Sequence, residues 1–122
     1  MRKMTPSMTP FRVGEVVSVE FPFTDMQGRK RRPGLVLASD TNDLLLARVT
    51  TQQPRNEFDV PLADWAAIGL PRASIVRLLK LVAIDARLVH HSIGLLSLPD
   101  RATLAVAVER FGVDIAGQLR LD

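Results

Sequence analysis

The chain has 122 residues, 47% hydrophobic and 24% charged, which is the balance of one globular domain, long enough for one core and too short for two. Its 16 Lys and Arg against 13 Asp and Glu leave a formal charge of only +3, so any polyanion would have to be met by a local concentration of charge. Cysteine is absent, which excludes disulfides, thiolate metal sites and a cysteine nucleophile together and suits a reducing cytoplasm.

Residues 1–10 are basic and contain proline but no apolar signal stretch, and read as a leader with Met4 and Met8 as alternative starts. No apolar run approaches the roughly 18 residues of a membrane-spanning helix. Residues 15–23 alternate as a strand does, with Val17, Val19 and Phe21 on one face and Val16, Ser18 and Glu20 on the other. Residues 24–31 are polar and contain Gly28, an exposed connection that carries the basic run Arg29–Lys30–Arg31–Arg32. Residues 33–39 are a continuous apolar run, hence a buried strand opened by Pro33. Residues 40–43 form a turn, and 44–50 the returning strand.

A second exposed loop spans 51–57. Residues 58–62 suit an edge strand, because Pro61 cannot donate to a ladder. Residues 63–68 allow about two helical turns before Gly69 and Pro71. Residues 74–79 and 81–84 make one long strand or two broken ones, and 89–96 another, with Gly94 inside it. Ser97 caps a final helix whose apolar stripe is Leu104, Val108 and Phe111 and which Gly112 ends. The expectation is a mostly β fold, a small curved sheet or barrel with a C-terminal helix. The domain falls at 11–112, with 113–122 as a tail.

Nucleotide-binding loops, serine-hydrolase elbows and zinc-protease motifs are all absent. His90 and His91 are the only histidines. Neighbours on a strand point to opposite faces, so the two cannot share a metal without a bulge, and a structural or solvent role suits them. The junctions at 29–33 and 48–52 say more. A hairpin across the 40–43 turn brings Arg32 and Thr50 near each other at its open end. A guanidinium beside a hydroxyl can clamp a phosphodiester and stabilise developing oxyanions, although a β-branched Thr50 is also an ordinary strand residue. Arg77 interrupts an apolar run, where a charge is costly unless paired, lining a site or turned outward. Trp65 reads as a core anchor.

In order, the segments Gly14–Val17, Phe21–Asp25, Arg31–Leu37, Ala47–Thr50, Asp59–Leu62, Ser74–Arg77 and Ile93–Ser97 resemble the MazF/PemK family of toxin–antitoxin endoribonucleases. The resemblance covers roughly residues 13–112. It implies an SH3-like barrel with a C-terminal helix, usually a homodimer, and metal-independent cleavage of single-stranded RNA such as mRNA. It implies no cofactor and no metal, a cognate antitoxin as partner, and a cytoplasmic location. In that chemistry a 2′-OH attacks phosphorus and leaves a 2′,3′-cyclic phosphate and a 5′-OH. Arg32 matches the family's arginine before proline, Thr50 its active-site hydroxyl, and Arg77 an arginine implicated in some members. Arg29, Lys30, Arg31, Thr51, Gln52 and Arg77 become the expected RNA contacts. An arginine titrates above about 12, so Arg32 suits charge stabilisation better than proton abstraction.

Two departures stand out. Leu79 occupies the place of an acid found in some members, and the first loop lacks a histidine found in others. They favour a competing reading, a noncatalytic SH3-like module that binds RNA or an antitoxin on the same surface. A DNA-gyrase poison on a related barrel is a third, but it does not call for the Arg-Pro and Thr pair.

Overall fold

The structure, a computed structural model, describes residues 11–20 and 30–121. Six strands, β1 (Glu15–Glu20), β2 (Arg31–Ser39), β3 (Asp43–Thr50), β4 (Asp59–Pro61), β5 (Ile75–Asp85) and β6 (Val89–Leu95), form one sheet in the order β4-β5-β3-β2-β1-β6. Every pairing is antiparallel. Helix α1 (Trp65–Ile68) follows β4, a 3₁₀ turn (Ala86–Leu88) joins β5 to β6, and helix α2 (Leu98–Leu121) closes the chain. The mostly β expectation holds.

Both faces of the sheet are buried, and strand alternation sorts their residues. Val16 belongs to a core with Leu35, Ala47, Val49, Val76, Leu96 and Leu104. Its neighbours Val17 and Val19 belong to a second core with Val36, Leu44, Leu46 and Ile84. A period of two, with apolar residues at both phases, builds two cores from one strand. β5 is one long strand with an irregularity: Arg77 pairs with Arg48 while Leu81 pairs with Ala47, so Leu78, Leu79 and Lys80 have no counterparts on β3. Three extra residues reverse which face each later side chain takes. Hence Val76 and Leu78 lie in the first core, whereas Val82 and Ile84 lie at the second.

The sheet curls because α1 brings its two edges together. A Cβ on Gly94 of β6 would collide with the Ile68 carbonyl of α1, so only glycine permits this approach. α1 is one turn rather than two. It ends at Gly69, whose φ of 112° is left-handed and whose N–H donates to the Ala66 carbonyl. At the other end of the first core, the Ser97 hydroxyl accepts the Asp100 N–H at 3.2 Å, capping α2 as expected. The buried Asp100 carboxylate then accepts the N–H groups of Ala63 and Asp64 at 2.9 and 3.0 Å, tying α2 to the approach to α1.

Besides α1, three elements depart from the sequence reading in ways that matter for the site or the helix. β2 starts at Arg31, because Arg31 and Arg32 already pair with Glu20 and Val19. β4 is limited to three residues, at the sheet edge where Pro61 costs no ladder bond. Gly112 does not end α2: it keeps helical backbone, and residues 113–121 are helix rather than tail. Glycine inside a helix costs only about 1 kcal/mol. The helix docks through Leu104, Ala107 and Phe111, while Val108 is turned outward. The Phe111 ring meets Phe58 edge-on at 5.1 Å.

Candidate functional site

The sheet ends where β2 begins and β3 finishes. Their ladder includes Gly34 opposite Arg48. Continued two residues in the same register, it sets Arg32 opposite Thr50. Both line one cavity of about 510 Å³, together with Arg31, Thr51, Ser74, His91 and Ser92. Val49 and Leu70 form part of its apolar wall. The volume is that of a small-ligand site.

Thr50 is buried by the strand it ends, and its Oγ1 accepts the Gln52 N–H at 3.3 Å. That bond orients the oxygen and leaves the hydroxyl proton as a donor. Arg32 is half-buried and Arg31 exposed. The pairing with β1 fixes the backbone of both, so these cations project from a strand rather than from a mobile loop. Lys30 is exposed just before β2, and Arg29 lies outside the described residues, as does the Phe21–Asp25 segment.

Arg77 and Gln52 do not line the cavity; they meet behind it. Arg77 is 2% exposed. Its Nε donates to Asp59 Oδ1 and its Nη2 to Asp59 Oδ2, each at 3.1 Å, a bidentate pair from β5 to β4. Nη1 donates to Gln52 Oε1 at 2.9 Å, and Nη2 also to the Gln53 carbonyl at 3.3 Å. The Arg55 N–H donates to Asp59 Oδ2 at 2.8 Å. The 51–57 loop is therefore fastened along its length to one buried ion pair. Burial pushes the Asp59 carboxyl up, but the Arg77 hydrogen bonds, the Arg55 N–H and the nearby positive charges outweigh it, and the pKa falls below its ordinary 3.8. Leu79 sits on the β5 irregularity, 54% exposed.

Sequence reasoning missed three polar residues of the cavity, Ser74, His91 and Ser92. Ser74 is buried just before β5, its hydroxyl donating to the Arg72 carbonyl at 2.8 Å. His91 and Ser92 enter from β6. No local signal marks any of the three, because the curl of the sheet brings them in. Among the described residues no three His, Cys, Asp or Glu side chains gather as metal ligands. No helix among them is long and apolar enough to cross a membrane.

A curled antiparallel sheet that presents strand-held guanidinium groups and a hydroxyl over one cavity defines a class of small domain suited to holding a phosphate. The chain belongs to the family of PemK-like, MazF-like toxins of type II toxin–antitoxin systems, which matches residues 12–111. No curated protein sequence matches it. Among solved structures, it is similar to the Mycobacterium tuberculosis toxin MazF-mt6, with 22% identity, a TM-score of 0.64, and 79% of this chain and 93% of that one covered. It is also similar to an endoribonuclease in complex with its cognate antitoxin from a mycobacterial species, with 14% identity, a TM-score of 0.62, and coverage of 77% and 86%. A further mycobacterial endoribonuclease matches at 15% identity and a TM-score of 0.59, with 78% and 84% covered. At these identities the likeness is one of fold.

Proposed function

We propose that this chain is the toxin of a toxin–antitoxin pair and a metal-independent endoribonuclease that cuts single-stranded RNA. The observation that carries the reading is that Arg32 and Thr50, from the adjoining ends of β2 and β3, line one cavity. In this reading the ribose 2′-OH attacks the adjacent phosphorus, the P–O5′ bond breaks, and a 2′,3′-cyclic phosphate and a 5′-OH result. Arg32 neutralises the charge that builds on the non-bridging oxygens, and Thr50 donates its hydroxyl to one of them. Arg29, Lys30 and Arg31 attract the RNA backbone, and Thr51 contacts it at the cavity rim. Arg77 and Gln52 act one step back: their bonds hold the 51–57 loop, so they serve as positioning residues.

The cognate antitoxin would cover the same cavity and exclude RNA. A homodimer working in the cytoplasm, with residues 11–112 as the functional domain, completes the proposal. Purified protein incubated with single-stranded RNA in EDTA should yield fragments with cyclic-phosphate 3′ ends, and Arg32→Ala should abolish them. Cutting that persists in the variant removes Arg32 from the mechanism. The second reading, a noncatalytic RNA- or antitoxin-binding module, is favoured by one feature, the exposed Leu79 where some relatives carry an acid. RNA binding without product, and no growth arrest on expression, would select it.

A further inference from the structure

Cleavage at phosphorus leaves one requirement that Arg32 and Thr50 do not meet. The departing 5′-oxygen is a poor leaving group unless it receives a proton. A guanidinium keeps its proton to above about pH 12 and a hydroxyl is a weaker acid than the task needs. Among the described residues that line the cavity, His91 alone carries an imidazole, a side chain that can both give and take a proton. We infer that His91 is a further catalytic residue of this site, the acid that protonates the leaving oxygen. The inference rests on the ribonuclease reading above and deepens it.

The sheet fixes where His91 stands. β1 runs between β2 and β6, and Ser18 pairs with Pro33 on one side and with His91 on the other. His91 is thus two strand spacings, about 10 Å, from the residue that follows Arg32. A phosphodiester with its flanking riboses can bridge that gap. The cavity lies at the end of β2 and β3, so residues of both strand phases open onto it. β6 also separates its two histidines. The register passes from Ser18 opposite His91 to Val19 opposite Val89, so His90 is skipped. It turns to Glu20, with Nε2 3.6 Å from Oε1, and does not line the cavity. The charged groups that share the cavity with His91 are Arg31 and Arg32 from β2. Glu20, at the end of β1, is engaged by His90. His91 is exposed, so replacing it removes no core contact.

The step balances without a further reactant. The 2′-oxygen bonds to phosphorus as its proton passes to water, the P–O5′ bond breaks, and the His91 imidazolium gives its proton to O5′. A proton from solvent restores the imidazolium.

The test compares two RNA substrates at a linkage the wild-type protein cuts, one with the natural 5′-oxygen and one with sulfur in its place. A thiolate leaves without help from an acid. His91→Gln should slow cleavage of the natural RNA by about 10²- to 10⁴-fold and slow the sulfur substrate by only a few fold. His91→Ala should behave alike and regain activity on the natural RNA with added imidazole, while His90→Gln should cut as wild type does. Equal losses on both substrates would make His91 a binding residue and overturn the inference, as would undiminished cutting of the natural RNA. Wild-type protein that cuts neither substrate would instead sink the ribonuclease reading, and the role of His91 with it.

Discussion

Arg77→Met is the most informative single change in the scaffold around the site. It deletes the guanidinium that makes two bonds to Asp59 and one each to Gln52 and Gln53. Asp59 is then left with a side chain only 1% exposed, to which the Arg55 N–H still donates. Removing one member of a buried ion pair costs about 3–5 kcal/mol, because the other charge stays desolvated. For a two-state chain of this size, unfolding entropy near 2 cal/mol/K per residue converts that to a fall in Tm of roughly 12–20 °C. Urea and thermal unfolding measure it directly. Pairing Arg77→Met with Asp59→Leu should recover most of the loss, since an apolar replacement of both partners is often neutral. Cleavage should not return with stability, because the bonds to Gln52 and Gln53 remain missing; a misplaced loop beside Thr50 should cost on the order of 10²-fold in kcat/KM. An Arg77→Met protein within about 1 kcal/mol of wild type would refute the reasoning. So would a double variant no more stable than the single one.

Acid should expose the same pair from the other side. Asp59 has a lowered pKa in the folded protein, so its contribution is present above the unfolded value near 3.8 and is lost as pH falls through the lower folded value. The urea midpoint should therefore lose an increment below about pH 4, and Asp59→Asn, which starts lower, should lack that increment. Thr50→Val keeps the strand shape and removes the hydroxyl: activity should fall by about 10²-fold or more, while the orphaned Gln52 N–H costs only about 1 kcal/mol in unfolding assays. Asp100→Ala leaves the Ala63 and Asp64 N–H groups without their acceptor and should cost about 2–4 kcal/mol. Hydrogen exchange should then quicken at residues 63 and 64 before the β3 core; unchanged exchange there would argue against the tie.

How much of this was readable in advance depended on how local each cause is. The strands from Glu15 to Thr50 were legible because alternation and turn residues are written into adjacent positions, and Asp40 accepts the N–H groups of Asn42 and Asp43 as such a turn requires. That Arg32 and Thr50 come near each other at the open end of the hairpin was legible from that turn, but their phase is set by the register shift between Val36 and Ala38, which no local pattern announces. Arg77 was recognised as anomalous, but the partner that resolves it lies 18 residues upstream on another strand, and no pattern announces that contact. His91 joined the cavity only through sheet curl and a skipped residue in β6. Gly112 misled for a different reason. A helix-ending glycine takes left-handed backbone, as Gly69 does, and sequence cannot distinguish that from a glycine tolerated within a helix.

The three unmatched residues of β5 set a rule for changes in chain length. Val76 and Val82 stand six residues apart, which plain alternation would put on one face, yet they lie at opposite cores, so the native insert has to break step once. Deleting one of Leu78, Leu79 or Lys80 leaves an even surplus, and plain alternation then sends Val76 and Val82 to opposite faces unaided. Deleting two leaves a single surplus residue, which needs the break in step again. Loss of one residue should thus be borne better than loss of two. Length at this point behaves like a reading frame, in which an odd surplus has to be absorbed by a local distortion and an even one does not.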